Sequence, residues 1–271
     1  MRKDGEKSNT EMGVQPMNVL TRSFRKIVNV FEQDSRLWGL TVSTALILAV
    51  VPILVVLGMV ATIPHPDLFV WLTAEDSLLE WSQFVLIFTS SLIFAWSGFL
   101  LFQNHLGKIG SLYLIVALAT FFVAGEEIAW GQRIFGWGTP EALEAVNSQH
   151  ETTLHNISSA HSIFVYGMML VAFYGVLMPI LASLWWNQKR ESFLERLLIP
   201  PLCLIPAFLM PFGYRFSRLA LGVDTLFPKF IFVITKFSEV TELCLYFAVM
   251  VFAWLNLRQI RQTIPGEAPN L

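Results

Sequence analysis

Charge is the first thing this sequence lacks. Asp, Glu, Lys and Arg make up 14% of its 271 residues, against about 25% in a soluble globular domain. That deficit excludes an ordinary water-solvated fold and points to lipid as the solvent. Net charge is small as well, -2 at neutral pH, and gives no basis for a nucleic-acid partner. Cysteine is nearly absent. Cys203 and Cys244 both sit inside apolar runs and read as small hydrophobes. They offer neither a disulfide framework nor a C-x-x-C metal spacing. A secretory leader is not expected, because residues 1–36 are polar and basic and precede the first apolar run.

What fills the chain instead is hydrophobic, 55% of it. Leu37 to Ile63 runs 27 residues without Asp, Glu, Lys or Arg, more than the roughly 20 a helix needs to cross about 30 Å of hydrocarbon. Five further spans are predicted at Ser82–Asn104, Ile109–Gly125, Ser162–Gln188, Leu197–Tyr214 and Phe237–Leu257. The expected fold is therefore all-α, a polytopic transmembrane bundle of about six spans. Residues 1–36 form a cytoplasmic segment, 37–258 the transmembrane domain and 259–271 a cytoplasmic tail. Membrane lipids are the one partner this composition names.

Three local features refine that picture. Phe24, Ile27, Val28 and Phe31 recur at helical spacing beside Arg22, Arg25 and Lys26, which predicts an amphipathic helix on the inner membrane surface. Pro200, Pro201, Pro206 and Pro211 must kink or break the fifth span, so it should pack inside the bundle where protein shields freed backbone. Residues 226–237 carry Lys229 and Lys236 and either lie at the interface or extend the last helix outward. Thirteen of the eighteen Lys and Arg fall on the side of the termini, so both ends are expected in the cytoplasm. The weak point is the third outer loop, with Arg215, Arg218, Lys229 and Lys236. Trp38, Trp71, Trp81, Trp130, Trp185, Trp186 and Trp254 stand near span ends as interfacial anchors.

Acids and histidines gather towards the outer side: Glu75, Asp76 and Glu80; Glu126 and Glu127; His150, Glu151, His155 and His161; Glu239 and Glu242. Ionisable groups in a membrane are costly and usually face the bundle interior, often marking function. Glu151 with His155, and Glu239 with Glu242, are spaced to share a helix face. Such carboxylates and imidazoles suit a divalent metal such as Zn, Mn or Fe, with His155, His161, Glu239 and Glu242 as the ligand set. Glu126, Glu127, Arg133 and Glu151 are the candidate catalytic groups, and Gln132, Trp130 and Glu80 the candidate substrate contacts. Glu80 and Glu239 also lie near helix N-termini, where a carboxylate is favoured for its own sake. Thr139 with Pro140 predicts a short capped helix to about Val146.

The segment AGEEIAWGQRIFGWGTPEALEAVNSQHETTLHNI resembles the signature of a family of bacterial multi-pass membrane proteins with no established activity. The matching positions are Gly125, Glu126, Glu127, Trp130, Gly131, Gln132 and Arg133, then Thr139, Pro140 and Glu141. Asn147, Gln149, Glu151, Thr152, Leu154, His155 and Asn156 complete them. Ser77, Ala129 and His150 depart from the pattern. The resemblance implies a bacterial inner membrane and a set of site residues, but no reaction. Three functions stay open: a hydrolase or transferase on a lipid or lipid-linked substrate, an ion-coupled transporter, and a non-catalytic assembly or sensor protein.

Overall fold

The computed structural model describes residues 19–145, 147, 151–154, 157–185 and 193–263. Among them the only β pairing is a single bridge between Asn147 and Ile157. The helices are α1 (Val19–Leu37), α2 (Val42–Thr62), α3 (Pro66–Thr73), α4 (Leu78–Gln103), α5 (Gly107–Glu127), α6 (Gln132–Phe135), α7 (Glu141–Glu144), α8 (Ser158–Trp185), α9 (Phe193–Leu198), α10 (Ile205–Leu221), α11 (Val223–Leu226) and α12 (Ile231–Thr263). Six stretches are long and apolar enough to cross a membrane, with α3 and α4 forming one of them and α9 and α10 another. The chain is an all-α, multi-pass membrane protein.

α1 is the amphipathic helix its spacing predicts, with Phe24 and Ile27 largely exposed. Its end turns into the protein, where Asp34, Ser35 and Trp38 are buried. Trp38 is thus not an interfacial anchor. It is 2% exposed and packs edge-on against Phe252, because Gly39, at φ +64°, turns the chain back into the bundle. Thr41 then caps α2 by accepting the Thr44 N–H at 3.1 Å.

α4 and α5 form a tight antiparallel hairpin built on small residues. A methyl group on Gly110 would stand 3.0 Å from the Gly98 carbonyl oxygen, and the Ser91 hydroxyl donates to the Ala117 carbonyl at 2.8 Å. Lipid gives apolar helices no reason to associate, so close backbone approach of this kind carries the packing. α12 runs through the centre with Val240, Cys244, Leu245, Ala248, Val251 and Leu255 buried, against α4, α10 and α2.

The fifth span breaks as its prolines require. α9 stops at Leu198, Pro200 and Pro201 follow, and a 3-10 turn over Leu202–Leu204 leads into α10. Side chains from elsewhere satisfy the freed backbone. Asp34 Oδ2 accepts the Leu202 N–H at 2.6 Å, Tyr113 donates to the Leu197 carbonyl at 2.7 Å and Tyr174 to that of Leu198 at 3.0 Å. The break is buried protein, as a bilayer demands.

Two helices outrun their predicted ends. α10 continues through Arg215 and Arg218 to Leu221, and α12 starts at Ile231 and ends at Thr263. Charge had set both limits, but paired charges need not end a helix. Of the four basic residues assigned to the third outer loop, only Lys229 lies in the connection. From Ile231 onward the stretch in question belongs to the last helix. Gln259 Nε2 donates to the Leu37 carbonyl at 3.1 Å, so α1 and the end of α12 share one face of the bundle. Helix alternation puts the α2–α3, α5–α8 and α10–α12 connections at the opposite face.

Candidate functional site

At that opposite face a cavity of about 550 Å³ enters the bundle, a volume in the range of small-molecule sites. Five spans line it. The end of α3 and the start of α4 supply Thr73, Glu75 and Glu80. α5 supplies Val123, Glu126 and Glu127, and α8 supplies His161, Phe164 and Met168. From α10 come Tyr214, Arg215 and Arg218, and from α12 Lys236, Glu239, Glu242 and Tyr246. Glu151 reaches the wall from the α7–α8 loop and Asp224 from α11. At 1.5 Å per residue, Glu239 lies about 12 Å and Tyr246 about 22 Å along α12 from Ile231. The cavity therefore reaches well into the span.

Glu126 and Glu127 are adjacent but do different things. Glu126 is 3% exposed. Its Oε1 accepts the Trp130 indole N–H at 2.8 Å, and its Oε2 accepts the Leu154 backbone N–H at 2.7 Å. It fastens the following loop to the end of α5. Glu127 turns the other way, and its Oε1 accepts the Tyr246 hydroxyl at 2.8 Å. Arg215, 5% exposed, donates to Glu242 at 2.7 Å. Met168 Sδ lies 3.4 Å from Arg215 Nη2 and 3.9 Å from the Tyr246 hydroxyl, so the ion pair and the Tyr246–Glu127 pair flank one side chain. Gln83 Nε2 donates to the Glu239 carbonyl at 2.6 Å and lies 3.4 Å from its carboxylate. Arg218 grips Asp224 with two nitrogens, the shorter contact 2.7 Å, and donates to Tyr214 at 2.9 Å.

The motif loop is held by strain and clamps. Ala129 and Trp130 have φ of 46° and 55°, followed by Gly131 at 85°, a left-handed run that costs non-glycine residues about 1–2 kcal/mol each. The Trp130 ring lies where a side chain on Gly125 would be, with ring carbons 2.8 Å from an added Cβ. Gly125, Glu126 and Trp130 therefore form one locking unit. Gln132 donates to Thr139 Oγ1 at 2.8 Å and accepts from the Thr152 N–H at 2.7 Å and hydroxyl at 2.8 Å.

Seven expected site residues, Glu80, Glu126, Glu127, Glu151, His161, Glu239 and Glu242, share the one cavity. Glu239 and Glu242 share a face of α12 as their spacing predicts. Glu80 also completes a cap on α4, accepting the Asp76 N–H while Ser77 accepts the Glu80 N–H. Several expectations need correcting. Trp130 and Gln132 are not on the cavity wall; their polar atoms are spent holding the loop. Glu151 lies in a bend rather than on a helix. α7 starts at Glu141, one residue later than expected, with Pro140 at its N-cap, and the Thr139 hydroxyl accepts from Gln132. The Arg133 side chain and all of His155 and Val146 lie outside the described residues. Among the described residues no three His, Cys, Asp or Glu side chains come together as a metal site, and Glu242, one of the expected ligands, is held by Arg215.

The residues the motifs did not find are Arg215, Arg218, Met168 and Tyr246. Tyr246 had a signal, since Glu239, Glu242 and Tyr246 recur at i, i+3 and i+7 on one helix face. Arg215 was hidden because a charge closes an apolar run whether or not the helix stops there. No family model matches the chain, and neither does a curated protein or a solved structure.

Proposed function

We propose that this chain is a bacterial inner-membrane protein with both termini in the cytoplasm and the cavity open outward. In this reading it belongs to the family its motif resembles, and its cavity performs hydrolysis or group transfer on a lipid or lipid-linked substrate. One observation carries the reading. Carboxylates from separate spans meet in a single cavity, and Glu127 is oriented there by a Tyr246 hydroxyl. Positioned carboxyl groups act as general acid and base. Glu127 takes a proton from water or an acceptor hydroxyl. The freed oxygen bonds to the acyl carbon or phosphorus, and the leaving oxygen receives a proton from the Glu239 carboxyl. Arg215 supports the site by balancing Glu242.

A second reading, ion-coupled transport, is favoured by the excess of acid. Among the described residues, eight Asp and Glu line the cavity against three Lys and Arg, which suits a cation or proton path. The experiment is direct. Purified protein is placed in vesicles of bacterial lipid, and lipids are followed by mass spectrometry for wild type and Glu127→Gln. A lipid altered only by wild type supports the enzyme. Glu127-dependent cation or proton flux with lipids unchanged supports the transporter. Neither, with the protein folded, leaves an assembly or sensor role.

A further inference from the structure

We propose that Arg215 stabilises an oxyanion in this cavity, and that the bond broken there belongs to an ester or amide with a neutral carbonyl, not to a phosphate ester, which rests on the hydrolase reading of the cavity and narrows its substrate.

Arg215 has donor capacity to spare. It is 5% exposed and lines the cavity. A guanidinium carries N–H donors on Nε, Nη1 and Nη2. Among the described residues only those on Nη2 have partners, Glu242 Oε1 at 2.7 Å and Met168 Sδ at 3.4 Å. Nε is buried without one. Buried donors are nearly always satisfied, and each exception calls for an explanation. A ligand oxygen seated beside the guanidinium supplies it.

Charge balance selects the kind of oxygen. Glu242 already offsets the positive charge of Arg215. What remains is the capacity to donate, without net charge. That suits an oxygen which arrives neutral and gains charge during reaction, as the carbonyl oxygen of an ester or amide does. A phosphate is charged from the start and would have to compete with Glu242. Only interactions that strengthen in the transition state accelerate the chemical step.

Placement agrees. Met168 Sδ lies against Arg215 Nη2 and 3.9 Å from the Tyr246 hydroxyl, which donates to Glu127 at 2.8 Å. The base and the donors therefore stand on two sides of one side chain, which α8 carries on the cavity wall. A carbonyl group against Met168 presents its carbon to water held by Glu127 and its oxygen to Arg215. Glu242 and Met168 hold the guanidinium from two directions, so the donors are oriented before substrate arrives, as electrostatic stabilisation requires.

The step balances as follows. Glu127 takes a proton from water, and the water oxygen bonds to the acyl carbon. The carbonyl π pair moves onto its oxygen, which accepts N–H bonds from Arg215. The pair then returns and the bond to the leaving oxygen or nitrogen breaks. That atom receives a proton from Glu239, and solvent carries the proton on Glu127 back to Glu239. The products are a carboxylic acid and an alcohol or amine.

The test uses full-length protein in vesicles of bacterial lipid. The probes are a long-chain nitrophenyl ester, the matching nitroanilide and a nitrophenyl alkyl phosphodiester of equal length. Wild type should release chromophore from at least one acyl probe and not from the phosphodiester. Arg215→Lys keeps a cation beside Glu242 but loses the guanidinium donors. It should lower kcat by roughly a hundredfold or more, the loss that follows removal of an oxyanion donor, with KM and melting temperature little changed. Arg215→Met with Glu242→Gln removes the ion pair without stranding a charge, and should be folded and inactive. Wild-type kcat in either variant would leave Arg215 as a counter-ion only and overturn the proposal, as would Glu127-dependent release from the phosphodiester or release from neither acyl probe. A further measurement needs only wild type. A long-chain alkyl trifluoromethyl ketone, which adds water to mimic the tetrahedral species, should raise the melting temperature more than the methyl ketone of equal length, and equal shifts overturn the oxyanion site. Glu127-dependent lipid turnover that ignores Arg215→Lys would leave the hydrolase reading standing and remove only the role of Arg215. Loss of all Glu127-dependent turnover would remove both.

Discussion

Arg215 on α10 and Glu242 on α12 meet at 2.7 Å with both side chains largely out of solvent. Removing one partner of a buried pair leaves the other charge stranded, at a cost of about 3–5 kcal/mol. Arg215→Met and Glu242→Gln should therefore each lower the melting temperature of detergent-purified protein. The double change Arg215→Met with Glu242→Gln should lose less than the two singles added. Additive losses would show that the pair is not coupled.

Glu126 and Glu127 should separate cleanly. Glu126→Gln keeps one acceptor oxygen but turns the other position into a donor, so either Trp130 or Leu154 loses its bond. The expected cost is roughly 1–3 kcal/mol, with faster proteolysis in residues 139–157. Glu127→Gln should leave melting and proteolysis close to wild type and abolish lipid turnover. Equal destabilisation by both would place Glu127 among the structural groups.

Gly175 on α8 makes room for the Phe208 ring of α10. A Cβ there would run into the Phe208 ring, so Gly175→Ala should cost about 1–3 kcal/mol by overpacking. Phe208→Leu should recover part of it. Gly167→Ala, on the same helix with open space around it, should be close to neutral. The comparison is read by thermal melting.

Orientation has its own check. A reporter active only in the cytoplasm should work when fused after Leu271 and stay silent when placed within residues 141–150. The opposite pattern would reverse the outward assignment of the cavity.

The bundle was legible in the sequence because lipid imposes a simple rule. A run such as Leu37–Ile63 must be helical, and α2 follows it closely. The acids were legible too, since Glu80, Glu127 and Glu239 stand out wherever charge is scarce. What the sequence hid was pairing. Arg215 and Arg218 looked like a loop because an unpaired arginine would have to leave the membrane, whereas Glu242 and Asp224 let them stay in α10. Nor does a charge pattern announce the neutral partners of Glu126 and Glu127, which are Trp130, the Leu154 N–H and Tyr246. Trp130 and Gln132 looked like ligand contacts because the motif is dense in polar groups. The density comes from a left-handed turn whose backbone needs many side chains to hold it.

The bond from Asp34 to the Leu202 N–H sets where the folding unit of this protein begins. Judged by hydropathy, the membrane domain starts at Leu37, and a shortened chain beginning there would look complete. It would lack the carboxylate that closes the proline break, across 168 positions of sequence. An N–H would be left bare beneath the helix that carries Arg215. The working boundary lies ahead of Asp34, inside a surface helix that hydropathy alone would discard.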